Sequence, residues 1–111
     1  MSGYALSPLA ELDLAEIVEF VAADNPDAAD RLVADLLDAF ERLAEFPRAG
    51  HVRLDLAPSE VRFWTVHPYL VIYRADGAPL LVLRLISGYR DLVEVFSWGV
   101  SEAVEPATAY A

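Results

Sequence analysis

Residues 60–86 read EVRFWTVHPYLVIYRADGAPLLVLRLI, and the fold turns on them. Three short runs rich in β-branched and aromatic residues stand out: EVRFWTV (60–66), YLVIYRA (69–75) and LLVLRLI (80–86). His67-Pro68 separates the first two, and Asp76-Gly77 sits in the connection between the last two. Strands joined this closely form an antiparallel meander. Alternation puts Leu81, Leu83 and Leu85 on one side of the last strand, and Val82, Arg84 and Ile86 on the other. Arg74 shares a side with Leu70 and Ile72, and Arg62 with Trp64 and Val66. With a covering layer on the leucine side, Arg62, Arg74 and Arg84 are expected on the open face, one per strand. Two readings stand: solvated strand arginines over an apolar face, or a cationic docking groove built around Trp64.

The covering layer lies upstream, where the hydrophobic period changes. A short strand is predicted at residues 3–6, GYAL, and SPLAEL follows. Ser7 suits a helix N-cap and Pro8 the first helical position, where a missing N–H costs nothing. Ala10, Leu14, Ile17 and Val21 recur at helical spacing, with Glu11, Asp13, Glu16 and Glu19 read as a solvated face. Asn25-Pro26 repeats the cap-then-proline signal, and Ala29, Leu32, Val33, Leu36, Phe40 and Leu43 form the next stripe. Pro47 and Gly50 end that helix. The fold class is therefore α+β: an N-terminal strand, then an antiparallel two-helix hairpin packed on one face of a small antiparallel β-sheet. The expected core includes Leu14, Ile17, Leu36, Phe40, Val71, Leu83 and Leu85.

With 111 residues, the chain has room for one core. Residues 1–96 are read as that domain, and 97–111, small and polar after Trp98, as a partly mobile tail. No window approaches the length of an apolar membrane span, and the N-terminus lacks the basic start of a signal peptide. There is no cysteine, so disulfide and thiolate chemistry are excluded, and a cytoplasmic location is expected. The formal net charge is -10. It is uneven: residues 1–45 hold eleven acids against Arg31 and Arg42, whereas 46–111 hold seven acids against six arginines. Such a balance opposes binding to phosphate backbones, so no direct nucleic-acid contact is expected.

Signals for catalysis are thin. His51 and His67, the only histidines, lack the ligand spacing of a zinc site, and His67 before Pro68 reads as a turn residue. Ser87 has no nucleophile elbow, and no glycine loop is built to cradle phosphate. No metal and no cofactor is expected. Past the last strand, in LVLRLISGYRDL (81–92), Ser87-Gly88 releases Arg90 and Asp91. This pair is either a local ion pair shaping the turn or part of a docking surface.

In order along the chain stand YALSPLAELDLAEIVEFVAADNPDAADRL, then FPRAG, then VRFWTVHPYLVIYRADGAPLLVLRLISGYRDL. This ordered set, over roughly residues 4–96, resembles the RelE/ParE superfamily of type II toxins. The ParE-like branch is the nearer one, since LRLISGYRDL is similar to that branch's strand ending in a His-Gly-x-Arg-Asp-like turn. Here Ser87 replaces the frequent histidine and Tyr89 the small residue.

The RelE branch cleaves messenger RNA on the ribosome with a Lys, Arg and Tyr cluster. Its paired lysines would fall near Val61 and Phe63, its strand arginine at Leu70, its late arginine at Arg90 and its closing tyrosine at Phe96. One cation of that set remains. The resemblance thus implies a binding inhibitor of DNA gyrase rather than an enzyme, neutralised by a ParD-like antitoxin. The alternatives are a ribosome-dependent endoribonuclease and a non-toxic interaction-only member of the fold. Tyr89, Arg90 and Asp91 are the candidates for target contact, and Arg62, Trp64, Arg74 and Arg84 those for the antitoxin. The acidic hairpin is the second candidate surface, suited to Arg or Lys on the partner.

Overall fold

A computed structural model describes residues 3–87. The chain forms β1 (Tyr4–Leu6), α1 (Pro8–Asp24), α2 (Pro26–Glu45), β2 (His51–Val52), β3 (Val61–Val66), β4 (Tyr69–Arg74) and β5 (Leu80–Ser87). Both helices start where the sequence places them. Ser7 caps α1 by accepting from the Ala10 N–H, Asn25 caps α2 by accepting from the Ala28 N–H, and each cap is followed by proline. Ser7 does more than cap. It is fully buried, and its hydroxyl donates to the Leu83 carbonyl at 2.8 Å, tying the start of α1 to β5.

The sheet has five strands in the order β1-β5-β4-β3-β2. The predicted meander is present, with β3–β4 closed by His67-Pro68 in a two-residue turn. β1 adds a parallel pairing, Tyr4↔Leu80 through Leu6↔Val82. The two-residue β2 pairs with β3 at the opposite edge and was not foreseen. The α+β class therefore holds, with a mostly antiparallel sheet.

Two apolar clusters sandwich the sheet. Leu36, Phe40 and Leu43 of α2, with Ala10 of α1, pack on Val71, Tyr73, Leu80, Val82 and Leu85. Tyr4 sets its ring against Phe40 with centroids 5.3 Å apart. The second cluster joins Val61, Phe63, Ile72, Leu83 and Ile86 to Ala57 of the loop before β3. The face expected to lie open is thus buried as well.

Of the expected core, Leu36, Phe40, Val71, Leu83 and Leu85 are buried, and Leu14 and Ile17 are partly buried against the helix-side cluster. The single-side grouping of Leu81, Leu83 and Leu85 needs correction. Ile72 pairs with Arg84 but Tyr73 pairs with Val82, which leaves Leu83 as the extra residue of a bulge. A bulge shifts the alternation by one. Leu83 therefore joins the second cluster while Leu85 faces the helices.

Candidate interaction surfaces

The four sequence candidates Arg62, Trp64, Arg74 and Arg84 do not gather on one face. Residues directly opposed across an antiparallel pair share a face. Arg62 lies opposite Tyr73 and Trp64 opposite Val71, so both belong to the helix side, where Trp64 packs against the core. Arg74 lies opposite Val61, on the other side. A groove built around Trp64 with all three arginines is therefore not formed. The register divides them.

Each arginine also has an intramolecular acceptor. Arg62 donates through Nη1 to the carbonyls of Gly50 at 2.8 Å and Arg48 at 3.3 Å. Arg74 forms a two-pronged pair with Asp76, at 3.1 and 2.7 Å. The hydrogen bond from Arg74 holds the Asp76 carboxyl below the usual carboxylate range, against the opposing effect of burial. The same arrangement recurs at Arg53–Asp55, where the Arg53 hydrogen bond lowers Asp55. Arg84 reaches α1, donating from Nε and Nη2 to the two carboxylate oxygens of Asp13. Asp13, read from sequence as part of a solvated face, is mostly buried beside β5.

The FPRAG segment, residues 46–50, is fastened to the helix side of the sheet. The buried Tyr73 hydroxyl donates to the Pro47 carbonyl at 2.6 Å and accepts from the Gly50 N–H at 2.9 Å. Burial of the ring pushes the Tyr73 phenol above its usual range, opposed by the Gly50 N–H and the positive charge of Arg62. A Cβ on Gly50 would stand 2.5 Å from the Tyr73 hydroxyl and 2.9 Å from the Phe63 carbonyl. Glycine is required here for room. Tyr73 was readable as a strand residue, but its partners lie 23 and 26 residues away and left no local signal.

The solvent side of the hairpin holds what the helical stripes left out. Leu9 is 41% exposed, Leu12 55% and Phe20 78%, and Leu37 on α2 is 38% exposed. A signal was present: α1 is apolar on more than one stripe, unlike a helix with a single buried face. Glu11, Glu16 and Glu19 are exposed on the same helix.

Among the described residues no group of three His, Asp or Glu side chains could hold a metal ion. His67 stands in the β3–β4 turn and His51 on β2. No described helix is long and apolar enough to cross a membrane. Tyr89, Arg90 and Asp91, Phe96 and the 96/97 domain limit lie outside the described residues.

Comparison with known proteins bears on this fold. Residues 4–92 match the family described as "ParE toxin of type II toxin-antitoxin system, parDE". "Toxin ParE3" of Caulobacter vibrioides is 42% identical over 53 residues, which cover 48% of this chain and 52% of that relative. The match thus spans about half the length of the curated relative. A solved structure described as "Chromosomal ParDE TA system from P. aeruginosa" is similar with a TM-score of 0.64 at 24% identity. That similarity covers 80% of this chain and 98% of the other, and it speaks for the fold alone.

Proposed function

The chain belongs to the ParE toxin family of type II toxin–antitoxin systems, and from that premise we propose that it blocks DNA gyrase by binding and is neutralised by a ParD-like antitoxin. The observation that carries the toxin reading is the family match across residues 4–92, which spans all seven described elements. The choice of binding over RNA cleavage is supported by what fills the sheet. Val61 and Phe63, at the positions where the resemblance would set the lysine pair of the ribonuclease branch, are 0% and 5% exposed. Both belong to the apolar cluster around Ile72. A site that holds a phosphate needs cations facing it. These two positions hold core side chains instead.

On this reading the protein acts in the cytoplasm, and Tyr89, Arg90 and Asp91 contact the target. An aromatic and an arginine side by side are the residue types that dominate protein docking energies. The test is purified gyrase with relaxed plasmid, run beside a translating extract. The expected result is dose-dependent loss of supercoiling with accumulation of cleaved DNA, weakened about tenfold or more by Arg90→Ala. Unaffected gyrase together with cut transcripts in the extract would replace this reading with the ribonuclease one. Unaffected gyrase and intact transcripts would support the interaction-only alternative.

A further inference from the structure

We infer that the solvent face of α1 bearing Leu9, Leu12 and Phe20 is a docking surface for a basic amphipathic helix of the antitoxin, an inference that rests on the toxin–antitoxin reading above. In the 17 residues of α1 only Ala10 is fully buried, although the helix is largely apolar. Three large apolar side chains are left in water, one of them a phenyl ring 78% exposed. Leu9 and Phe20 are eleven residues apart, three helical turns, with Glu16 between them on the same line and Leu12 on the adjoining one. The anchors therefore extend over about 16 Å of one helix side. This is the length over which a partner helix inserts side chains at i, i+3/i+4 and i+7.

Charge selects the occupant. Glu11, Glu16 and Glu19 are exposed around the anchors, and residues 1–45 carry eleven acids against two arginines. A second copy of the chain laid on this face would set carboxylates against carboxylates, which is costly at an interface. An anionic lipid surface or a nucleic acid meets the same repulsion. A helix with apolar anchors flanked by Arg and Lys is complementary in both respects. The sheet offers no comparable site among the described residues, since both of its faces are occupied by apolar clusters.

The test compares the wild-type chain, Leu12→Ser/Phe20→Ser and Glu16→Arg/Glu19→Arg in titration against the antitoxin encoded with the toxin, at low and high salt. All these positions are exposed, so the melting midpoints should match and serve as the folding control. The expected result is a loss of affinity of about tenfold or more in each double variant, with the wild-type complex weakening as salt rises. Wild-type affinity in both variants would overturn the inference. If no antitoxin associates with the wild-type chain, the toxin–antitoxin reading fails on its own. Two synthetic helices sharing a leucine frame, one flanked by Arg and one by Glu, then decide the surface. Binding of the Arg helix alone, with NMR shifts at Leu12 and Phe20, upholds it, and equal or absent binding overturns it. A wild-type dimer dissociated by Phe20→Ser would also overturn it, because a second copy would then be the occupant.

Discussion

Asp13 and Arg84, 71 residues apart in sequence, are joined by two hydrogen bonds of 2.7 and 3.0 Å. Asp13 Oδ2 also accepts from the Leu85 N–H at 3.0 Å. β1 stops pairing with β5 at Leu6↔Val82, and the chain turns into α1. Beyond that point a carboxylate on the helix takes the place of a neighbouring strand. The side chains are 22% and 12% exposed, so the pair is largely shielded from water.

Asp13→Ala is therefore expected to destabilise the fold by about 1.5–3 kcal/mol, since it strands both a guanidinium and a backbone donor. Asp13→Asn should cost less, because one oxygen still accepts. A double-mutant cycle with Arg84→Met, read by urea denaturation, should give a coupling of at least about 0.5 kcal/mol. Additive single effects would show that the contact contributes nothing as a pair.

Tyr73→Phe removes the hydroxyl that satisfies Gly50 and Pro47, and should cost about 1–3 kcal/mol. It should also change the alkaline limb of stability. The folded-state phenol is raised, chiefly by burial, so its contribution is fully present below the unfolded value of about 10. It is lost as pH rises from there through the folded value. Chemical denaturation from pH 9 upward (a range set by that ~10 reference) should show a decline in the wild type that Tyr73→Phe flattens. An identical decline in both would assign the effect elsewhere.

Gly50→Ala forces a methyl group against the Tyr73 hydroxyl and the Phe63 carbonyl. Overpacking of this kind costs about 1–3 kcal/mol. In the Tyr73→Phe background the penalty should shrink, because the nearest clashing atom is gone. The melting midpoints of the two singles and the double would show this directly.

Leu36 and Phe20 make a matched contrast on the hairpin. Leu36 is 0% exposed and Phe20 78%. Leu36→Ala should cost about 2–5 kcal/mol, and Phe20→Ser should stay within about 0.5 kcal/mol in the free chain. A large loss from Phe20→Ser would mean that the α1 solvent face supports the fold rather than a partner.

The local parts of this architecture were legible in the residues. Ser7-Pro8 and Asn25-Pro26 announce helix starts because a cap and a fixed φ act within four residues. The meander strands show because β-branched runs broken by His67-Pro68 and Asp76-Gly77 have few other structures open to them. The ordered motifs likewise pointed to the family matched over residues 4–92. The arginines of the proposed groove were legible as strand residues, but their faces were not. Face assignment assumed unbroken alternation and one covered side.

Tertiary structure alone decided the rest. The Leu83 bulge, the parallel seat of β1 and the partners of Asp13, Arg62 and Tyr73 each depend on segments that meet only when the core closes. An arginine or a buried tyrosine takes whichever acceptor the packed backbone brings within about 3 Å, and residue spacing does not encode that choice. The exposed side of α1 was settled the same way. Its sequence is apolar enough to be covered on several faces, and the sheet it packs against is wide enough to cover only one.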